Sequence, residues 1–230
     1  EDHPVKDLDA LLDALDYRVH IPNDLVFLRG MVADTLAHAA PWENIHDKLI
    51  IDATTTPDND PHSGQPPQPG CPDSLEISAS AVSGVIQARM LRTSMLVVTT
   101  NIEGGPKPES SMENVSEEGA ARQREIIGGI CDAIWSLEAA QNLRWLFITD
   151  DDVYLASEEW RRRLLWQLFC RFDVGRDLHF DDSGGRLAWD ATAPIPSSKG
   201  PLPVRRWPGV TLHDPEVAKR VDAWLAEGGY

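Results

Sequence analysis

Three consecutive carboxylates, Asp150, Asp151 and Asp152, follow a short apolar run that ends at Ile148. Carboxylates this close repel one another unless a cation, an arginine or backbone N–H groups lie beside them. Oxygen ligands are those that Mg²⁺ and Mn²⁺ prefer, so the cluster predicts a divalent-metal site. The alternative interpretation is a solvated turn, or a cap for the helix that follows.

A seven-residue pattern occurs twice in the chain. Residues 48–54 and 186–192 both begin with a cation, continue through an apolar stretch and end in Asp-Ala-Thr. Asp and Thr side chains can satisfy backbone groups where a strand breaks into a loop, so we expect Asp190 and Thr192 to organise such a loop. The pattern is open to two explanations, a structural duplication and a chance similarity.

The elements that position these residues are predicted from hydrophobic spacing. Apolar runs predict strands over 49–51, 95–99 and 146–148. Helical spacing predicts helices over 24–40 and 157–172, a helix that begins at Ser116 or Glu117, and a helix that begins at Asp214 and Pro215. Residues 75–92 are predicted to form a strand and then a helix, and two short strands should flank Gly184 and Gly185.

Strands that alternate with amphipathic helices are typical of an α/β fold, a layered sandwich in which helices flank a mostly parallel or mixed sheet. In such sheets the groups that meet ligands lie just beyond the carboxyl ends of the strands, where Asp150 and Asp190 fall. Two domains are predicted. Residues 1–74 form an N-terminal helical segment with a strand and a Pro-rich loop, packed on the main α/β domain, residues 75–230.

The 230-residue chain carries 37 acidic and 21 basic residues, a formal net charge of −16. This acid excess argues against nucleic-acid and anionic-membrane partners, which need clustered Lys and Arg. No apolar run reaches the roughly 18 residues of a membrane span, and three distant cysteines support neither a disulfide framework nor a zinc ribbon. We expect a soluble cytoplasmic protein and, because the first residue is Glu1 rather than Met, a trimmed N-terminus.

From residue 144 onward the chain resembles the C-terminal domain of the UbiD family of carboxy-lyases. The resemblance rests on a strand with an acidic turn, a helix that ends in an Arg-x-Asp-x-x-Arg-Asp run, and a glycine-led stretch that ends in Asp-Ala-Thr. These segments are 145–153, 166–177 and 184–192, followed by Trp207-Pro208 and 214–217. Residues before about 75 show little of this resemblance.

The resemblance implies reversible, non-oxidative decarboxylation of aromatic or α,β-unsaturated acids, with prenylated FMN, Mn²⁺ and K⁺ as cofactors. The family's flavin-binding domain and its Glu-Arg-Glu catalytic set precede the resembled domain, and we find no counterpart in this sequence. We therefore expect a decarboxylase subunit, a lyase component, that forms homo-oligomers or pairs with a UbiD-type catalytic subunit. Catalytic and cofactor-binding residues are not assigned. The candidate site residues are Asp150, Asp151, Asp152, Arg171, Asp190 and Thr192.

Two alternative functions come from other classes. An apolar strand followed by Asp150-Asp151-Asp152 also resembles the D-x-D element with which GT-A-like nucleotide-sugar glycosyltransferases hold Mn²⁺ against a diphosphate. The second alternative is a non-catalytic assembly module, since aromatic residues anchor interfaces. Trp42 and Trp207 adjoin prolines in predicted loops and are the interface candidates.

Overall fold

The computed structural model describes residues 7–32, 39–54, 69–102, 116–199, 202–206 and 214–227. The helices in this part of the chain are α1 (Leu8–Arg18), α2 (Ser74–Ser80), α3 (Glu117–Trp135), a short 3₁₀ helix (Glu138–Ala140), α4 (Trp160–Arg171) and α5 (Pro215–Ala226). The strands are β1 (Leu25–Val32), β2 (Ile45–Ile51), β3 (Val85–Arg92), β4 (Met95–Thr100), β5 (Trp145–Asp150), β6 (Leu178–Phe180) and β7 (Leu187–Asp190). The Trp207-Pro208 pair and residues 55–68 of the Pro-rich loop lie outside the described residues.

Five strands form one mixed sheet in the order β3-β4-β5-β7-β6. The central strands β4, β5 and β7 run parallel, and the outer strands β3 and β6 are each antiparallel to their neighbour. One apolar cluster joins α2 and α3 to the sheet, and a second joins α1 and α4 to it. The predicted α/β layered sandwich with a mixed, helix-flanked sheet is confirmed.

Helix caps occur where the sequence predicts them. Ser116 Oγ accepts a hydrogen bond from Gly119 N at 3.0 Å and starts α3, whose Ile127, Ile130 and Ile134 are buried. Asp214 caps α5 in the same way, with a proline in its first turn. Local signals of this kind need no tertiary partner, which is why they predict helix starts reliably.

The helix predicted over 24–40 is wrong. Residues Leu25–Val32 form strand β1, which pairs antiparallel with β2, while residues 33–38 lie outside the described part. Apolar residues at 25, 28 and 32 fit a helical stripe, but Leu25 lies opposite Ile51 of β2 and Leu28 lies opposite Lys48. Pairing with β2 is what makes this segment a strand and not a helix.

The order predicted for residues 75–92, strand and then helix, is also wrong. Helix α2 (Ser74–Ser80) comes first, and β3 follows after a turn in which Gly84 has a φ of +90°. A left-handed φ suits glycine and ends the helical path. Strand β3 then forms a hairpin with β4, so the apolar residues of 85–92 pack as a strand.

Two segments of the chain have the same local architecture. The first hairpin unit (residues 8–54) consists of α1 and the antiparallel pair β1–β2, and the second (residues 160–192) consists of α4 and the pair β6–β7. Each unit ends in Asp-Ala-Thr. The strand registers match, because Leu25 lies opposite Ile51 in the first unit and Leu178 lies opposite Trp189 in the second.

The same backbone bonds recur in both units. Asp52 N donates to Asp24 O and Asp190 N donates to Asp177 O, each at 2.9 Å. Asp24 Oδ2 accepts from His20 N at 2.7 Å, as Asp177 Oδ2 does from Asp173 N. The aspartate of Asp-Ala-Thr accepts from the threonine N at 2.9 Å and Oγ1 at 2.6 Å in both units. Shared bonds across both units favour a structural duplication over a chance similarity.

In the described part of the chain, no helix is long and apolar enough to cross a membrane.

Candidate functional site

The candidate site lies at the carboxyl ends of β5 and β7. These strands are parallel neighbours in which Ile148 lies opposite Asp190, and Ala191 N donates to Ile148 O at 2.8 Å. Asp150 and Asp190 therefore meet at one edge of the sheet, as the strand-end rule predicts. Arg171, the last residue of α4, reaches the same edge.

Asp150 is held by two donors. Arg171 Nη1 lies 2.6 Å from Asp150 Oδ2, and Ala193 N donates to the same oxygen at 2.8 Å. Burial raises the pKa of Asp150 to about 6, although the Arg171 guanidinium acts in the opposite direction. The carboxyl thus joins the end of β5 to the loop that follows β7.

The three consecutive aspartates point to different partners. Asp151 is exposed and accepts a hydrogen bond from Asn101 Nδ2 at 2.9 Å. Asp152 accepts from Gln167 Nε2 and lies 3.5 Å from Arg171 Nη2. In the described part of the chain, no group of three or more His, Cys, Asp and Glu side chains converges on a position for a metal ion. The metal site at Asp150–Asp152 stays a prediction.

Arg171 connects the acidic turn to the sheet. Its side chain is 4% exposed, and it forms ion pairs with Asp150 and Asp152. The guanidinium also lies 5.8 Å from the ring centroid of Trp166. Because a cation already neutralises the two carboxylates of the D-x-D spacing, this arrangement favours a structural turn over the diphosphate-binding element of a glycosyltransferase.

Asp190 and Thr192 bond to one another where β7 ends and the second loop begins. Asp190 Oδ1 accepts from Thr192 N at 2.9 Å and from Thr192 Oγ1 at 2.6 Å. The buried Gln123 of α3 donates to Thr192 Oγ1 at 3.0 Å and accepts from Ile195 N at 3.0 Å. Burial, followed by the neighbouring Asp177 carboxylate, raises the pKa of Asp190 to about 7.

Sequence reasoning missed several residues of this network. Arg176 binds Asp177 through two bonds, from Nε at 2.6 Å and from Nη2 at 2.7 Å. Asp173 is buried nearby, and burial raises its pKa to about 6. The Arg-x-Asp-x-x-Arg-Asp run contained these three residues, so that motif could have identified them. Gln123 carries no such signal, because it lies far along the chain from its partners.

The network leaves little room for a ligand. The cavity among Gln123, Arg176, Asp177, Asp190 and Thr192 has a volume of about 20 Å³, enough for one water molecule. A flavin does not fit among these residues. These side chains hold two loops in place, and Asp150 and Asp190 can exchange protons.

Part of the chain matches a known protein family. Residues 1–53 match the family model of the C-terminal domain of 3-octaprenyl-4-hydroxybenzoate carboxy-lyase, the UbiD family. The predicted resemblance to this family is confirmed, but on a segment whose sequence motifs show little of it. The matched residues contain nearly all of the first hairpin unit, whose architecture recurs in residues 160–192.

The solved structures include UbiD-class enzymes. The chain is 14% identical to vanillic acid decarboxylase from Sedimentibacter hydroxybenzoicus in its open form, with 68% of this chain and 32% of that chain covered and a TM-score of 0.39. It is 15% identical to an evolved dimeric form of HmfF from Pelotomaculum thermopropionicum in complex with prFMN, with 63% and 27% covered and a TM-score of 0.35. The matched part is less than a third of either chain.

Proposed function

We propose that this chain is a subunit of a UbiD-type carboxy-lyase, resembling the family's C-terminal domain, and that it completes a flavin-binding partner. The assembly would decarboxylate an aromatic or α,β-unsaturated acid without net oxidation. We place it in the cytoplasm, as a hetero-oligomer with the catalytic subunit or a homo-oligomer.

One observation carries this proposal. The family model matches residues 1–53, whereas the motifs that resemble the same family lie in residues 145–192. These segments contain the two hairpin units, which share strand register and the bonds around Asp24, Asp52, Asp177 and Asp190. Two independent signals for one family thus fall on one repeated architecture.

The candidate site residues have a structural role in this proposal. Asp150, Arg171, Asp190 and Thr192 fix the loops that follow β5 and β7 at the carboxyl edge of the sheet. A rigid edge of this kind can close over a ligand held by another chain. In this proposal prenylated FMN and the acid substrate bind to the partner, which also supplies the Glu-Arg-Glu set.

Coexpression tests the proposal. The chain is produced with a flavin-binding UbiD-type subunit and an enzyme that supplies prenylated flavin, and separately without them. We expect a complex that purifies intact, absorbs as a flavoprotein and releases CO₂ from an aromatic acid, while the chain alone is colourless. A chain that never copurifies with such a subunit, in a series of candidates, would contradict the proposal.

A divalent metal at Asp150–Asp152 is a separate proposal. Asp151 is the most accessible of the three carboxylates, so a metal would meet it first. We expect Mn²⁺ to raise the melting temperature of the chain and Asp151→Asn to reduce that increase, because a ligand that binds only the folded state stabilises it. The exposed Asp182→Asn is the matched control. If Mn²⁺ changed the melting temperature of all three proteins equally, the result would show that the turn does not bind the metal.

A further inference from the structure

An apolar cavity lies between helices α1 and α4 and the sheet. Its volume is about 380 Å³, and its walls come from these two helices and from strands β2–β5 and β7. An apolar cavity of about 150 Å³ is enough to bind benzene, so by the same proportion this one holds roughly fifteen non-hydrogen atoms. Protein interiors contain few cavities larger than a water molecule. A cavity of this size is typical of a small-molecule site.

The two helices turn equivalent faces to the cavity. Helix α1 ends two residues before His20, and α4 ends two residues before Asp173, the residues whose amides bond Asp24 and Asp177. Counted back from these ends, the lining residues match in the pairs Leu8 and Arg161, Leu11 and Leu164, Leu12 and Leu165, and Leu15 and Leu168. These positions form one helical stripe on each helix. Arg161 is the one charged member of the two stripes.

Buried polar contacts fix both helices to the sheet. On α1, the fully buried Asp16 accepts a hydrogen bond from Thr93 N at 3.1 Å and lies 3.4 Å from Arg144. On α4, Arg171 Nη1 lies 2.6 Å from Asp150. Collapse of the helices into the cavity would break these contacts and leave buried polar groups without partners. The same contacts that attach the helices therefore maintain the space between them.

The polar groups of the lining are hydrogen-bond donors. Among the described residues that line the cavity, no side chain carries an oxygen atom. The donors are the guanidinium of Arg161 and the indole groups of Trp145 and Trp189. The side chain of Arg161 is 41% exposed, so this cation lies where the cavity meets solvent. Such a lining suits an apolar body that carries an acceptor group at its Arg161 end.

Arg161 can bind an anionic group without leaving a carboxylate unpaired. Its Nη1 donates to Asp9 Oδ1 at 3.0 Å, and the same oxygen accepts a hydrogen bond from Arg92. The pair between Arg161 and Asp9 is largely exposed, and exposed ion pairs contribute little to stability. A ligand carboxylate can therefore replace Asp9 at Arg161 while Asp9 keeps its bond with Arg92.

A small molecule fits this lining better than a segment of polypeptide does. An extended backbone would bring N–H groups that meet no side-chain acceptor in the described lining, and a buried N–H without a partner is costly. A single aromatic side chain has at most about ten non-hydrogen atoms and offers no strong acceptor to Arg161. The donor-only lining and the volume therefore both favour a ligand that is not a peptide.

We propose that this cavity binds an apolar monocarboxylate of medium chain length, such as a fatty acid of about ten carbon atoms. The hydrocarbon chain lies between the leucine stripes of α1 and α4, and the carboxylate accepts hydrogen bonds from Arg161 at the mouth. The ligand is bound and not transformed. The proposal rests on the cavity and its lining, so it stands or falls independently of the decarboxylase function.

Calorimetric titration of the full chain with decanoate, below the concentration at which micelles form, tests this site. We expect saturable binding of one decanoate per chain. Arg161→Leu gives α4 the residue that α1 has at this position, and it should weaken decanoate binding about tenfold. It should weaken the binding of decanol, the neutral analogue of equal length, less than twofold. Arg162→Leu, at an exposed position of the same helix, is the matched control and should change neither affinity.

A second variant tests whether the ligand lies inside the cavity. Leu168→Trp places a larger side chain in the lining and should weaken decanoate binding at least tenfold, whereas Leu225→Trp on α5, where Leu225 is 46% exposed, should not. Circular dichroism establishes that both variants are folded. If Leu168→Trp is not, nuclear Overhauser contacts in the wild type decide, and we expect them between decanoate and the indole protons of Trp145 and Trp189.

Four results would overturn the proposal. The first is the absence of saturable decanoate binding to the wild type, and the second is the absence of these contacts with Trp145 and Trp189. The third is an equal loss of affinity in Arg161→Leu and Arg162→Leu, or for decanoate and decanol in Arg161→Leu. The fourth is binding that weakens as the protein concentration rises, since a second copy of the chain would then occupy the cavity.

Discussion

The backbone amide of Asp190 donates a hydrogen bond to the carbonyl oxygen of Asp177 at 2.9 Å. This bond joins Asp177, at the end of the connection between α4 and β6, to Asp190, the last residue of β7. It also places two carboxylates in the same buried region, one of which, Asp177, is neutralised by Arg176. Asp190 Oδ1 accepts hydrogen bonds from Thr192 N and Thr192 Oγ1, and burial raises the pKa of this carboxyl. Protonation of Asp190 is therefore coupled to folding.

The first prediction concerns pH. The pKa of Asp190 is about 7 in the folded protein and near 3.9 in an unfolded chain, so the folded state binds this proton more tightly. Its contribution to stability is complete below about pH 4 and is lost as the pH rises through about 7. Asp190→Asn removes the titration and keeps an oxygen for Thr192. We expect the free energy of unfolding of the wild type, relative to the variant, to fall by up to about 4 kcal/mol between pH 4 and 7.

Urea denaturation at a series of pH values measures this difference. The other carboxyls with raised pKa values, Asp150 and Asp173, are present in both proteins, so their contributions to the difference cancel to first order. A difference that stays constant over this pH range would show that Asp190 is ionised in the folded state throughout.

The second prediction uses the repeated Asp-Ala-Thr. Thr192 is buried and its hydroxyl bonds both Asp190 and Gln123, whereas Thr54 is exposed and its hydroxyl bonds Asp52. Unsatisfied polar groups cost more when they are buried. We expect Thr192→Val to lower the free energy of unfolding by about 2 kcal/mol, and Thr54→Val by about 0.5 kcal/mol. Equal losses in chemical denaturation would indicate that Gln123 contributes nothing.

The third prediction concerns the ion pair at the end of α4. Arg171→Ala leaves Asp150, whose side chain is 21% exposed, without its cation. Breaking a fully buried pair costs about 3–5 kcal/mol, so we expect a loss at or below the lower end of that range. Because the pKa of Asp150 is about 6, its carboxyl is largely neutral at pH 5, so the loss should be smaller there than at pH 8. Arg162→Ala, on the exposed side of the same helix, is the control and should change stability by less than about 0.5 kcal/mol. The same loss at both pH values would argue that packing, not charge, is what Arg171 contributes.

Sequence patterns predicted the features that depend on neighbouring residues. The Ser116 and Asp214 caps, and the meeting of Asp150 with Asp190, follow from local spacing and from the rule for parallel strands. Strand β1 could not be predicted in this way, because its apolar spacing fits a helix equally well until β2 pairs with it. Gln123 could not be predicted for a similar reason, since its hydrogen-bond partners lie in a loop far along the chain.

The duplication was visible only in part. A fixed offset aligned residues 48–54 with 186–192, but not the helices and strands that precede them. The reason is the hairpin connection, which spans residues 33–44 in the first unit and 181–186 in the second. Connections tolerate insertions while the strands keep their register. Backbone bonds around Asp24 and Asp177 recovered the correspondence that spacing had hidden.

The last prediction concerns the bond between the first hairpin unit and the main sheet. Asp16 of α1 is fully buried and accepts hydrogen bonds from the Thr93–Ser94 turn between β3 and β4, including Thr93 N at 3.1 Å and Thr93 Oγ1 at 2.7 Å. Arg144, which is also buried, lies 3.4 Å from its Oδ1. Removing the charge of Asp16 leaves Arg144 buried without a counterion, an arrangement that costs about 3–5 kcal/mol.

Asp16→Asn therefore should lower the free energy of unfolding by several kcal/mol and release α1 first. The matched control is Asp13→Asn, on the same helix, whose side chain is 52% exposed and pairs with Arg92, so its loss should stay below about 1 kcal/mol. Amide exchange separates the two effects, because α1 and β1–β2 should lose protection in the Asp16 variant before β4 and β5 do. Uniform loss of protection across the chain would mean that the first unit and the main sheet unfold as one.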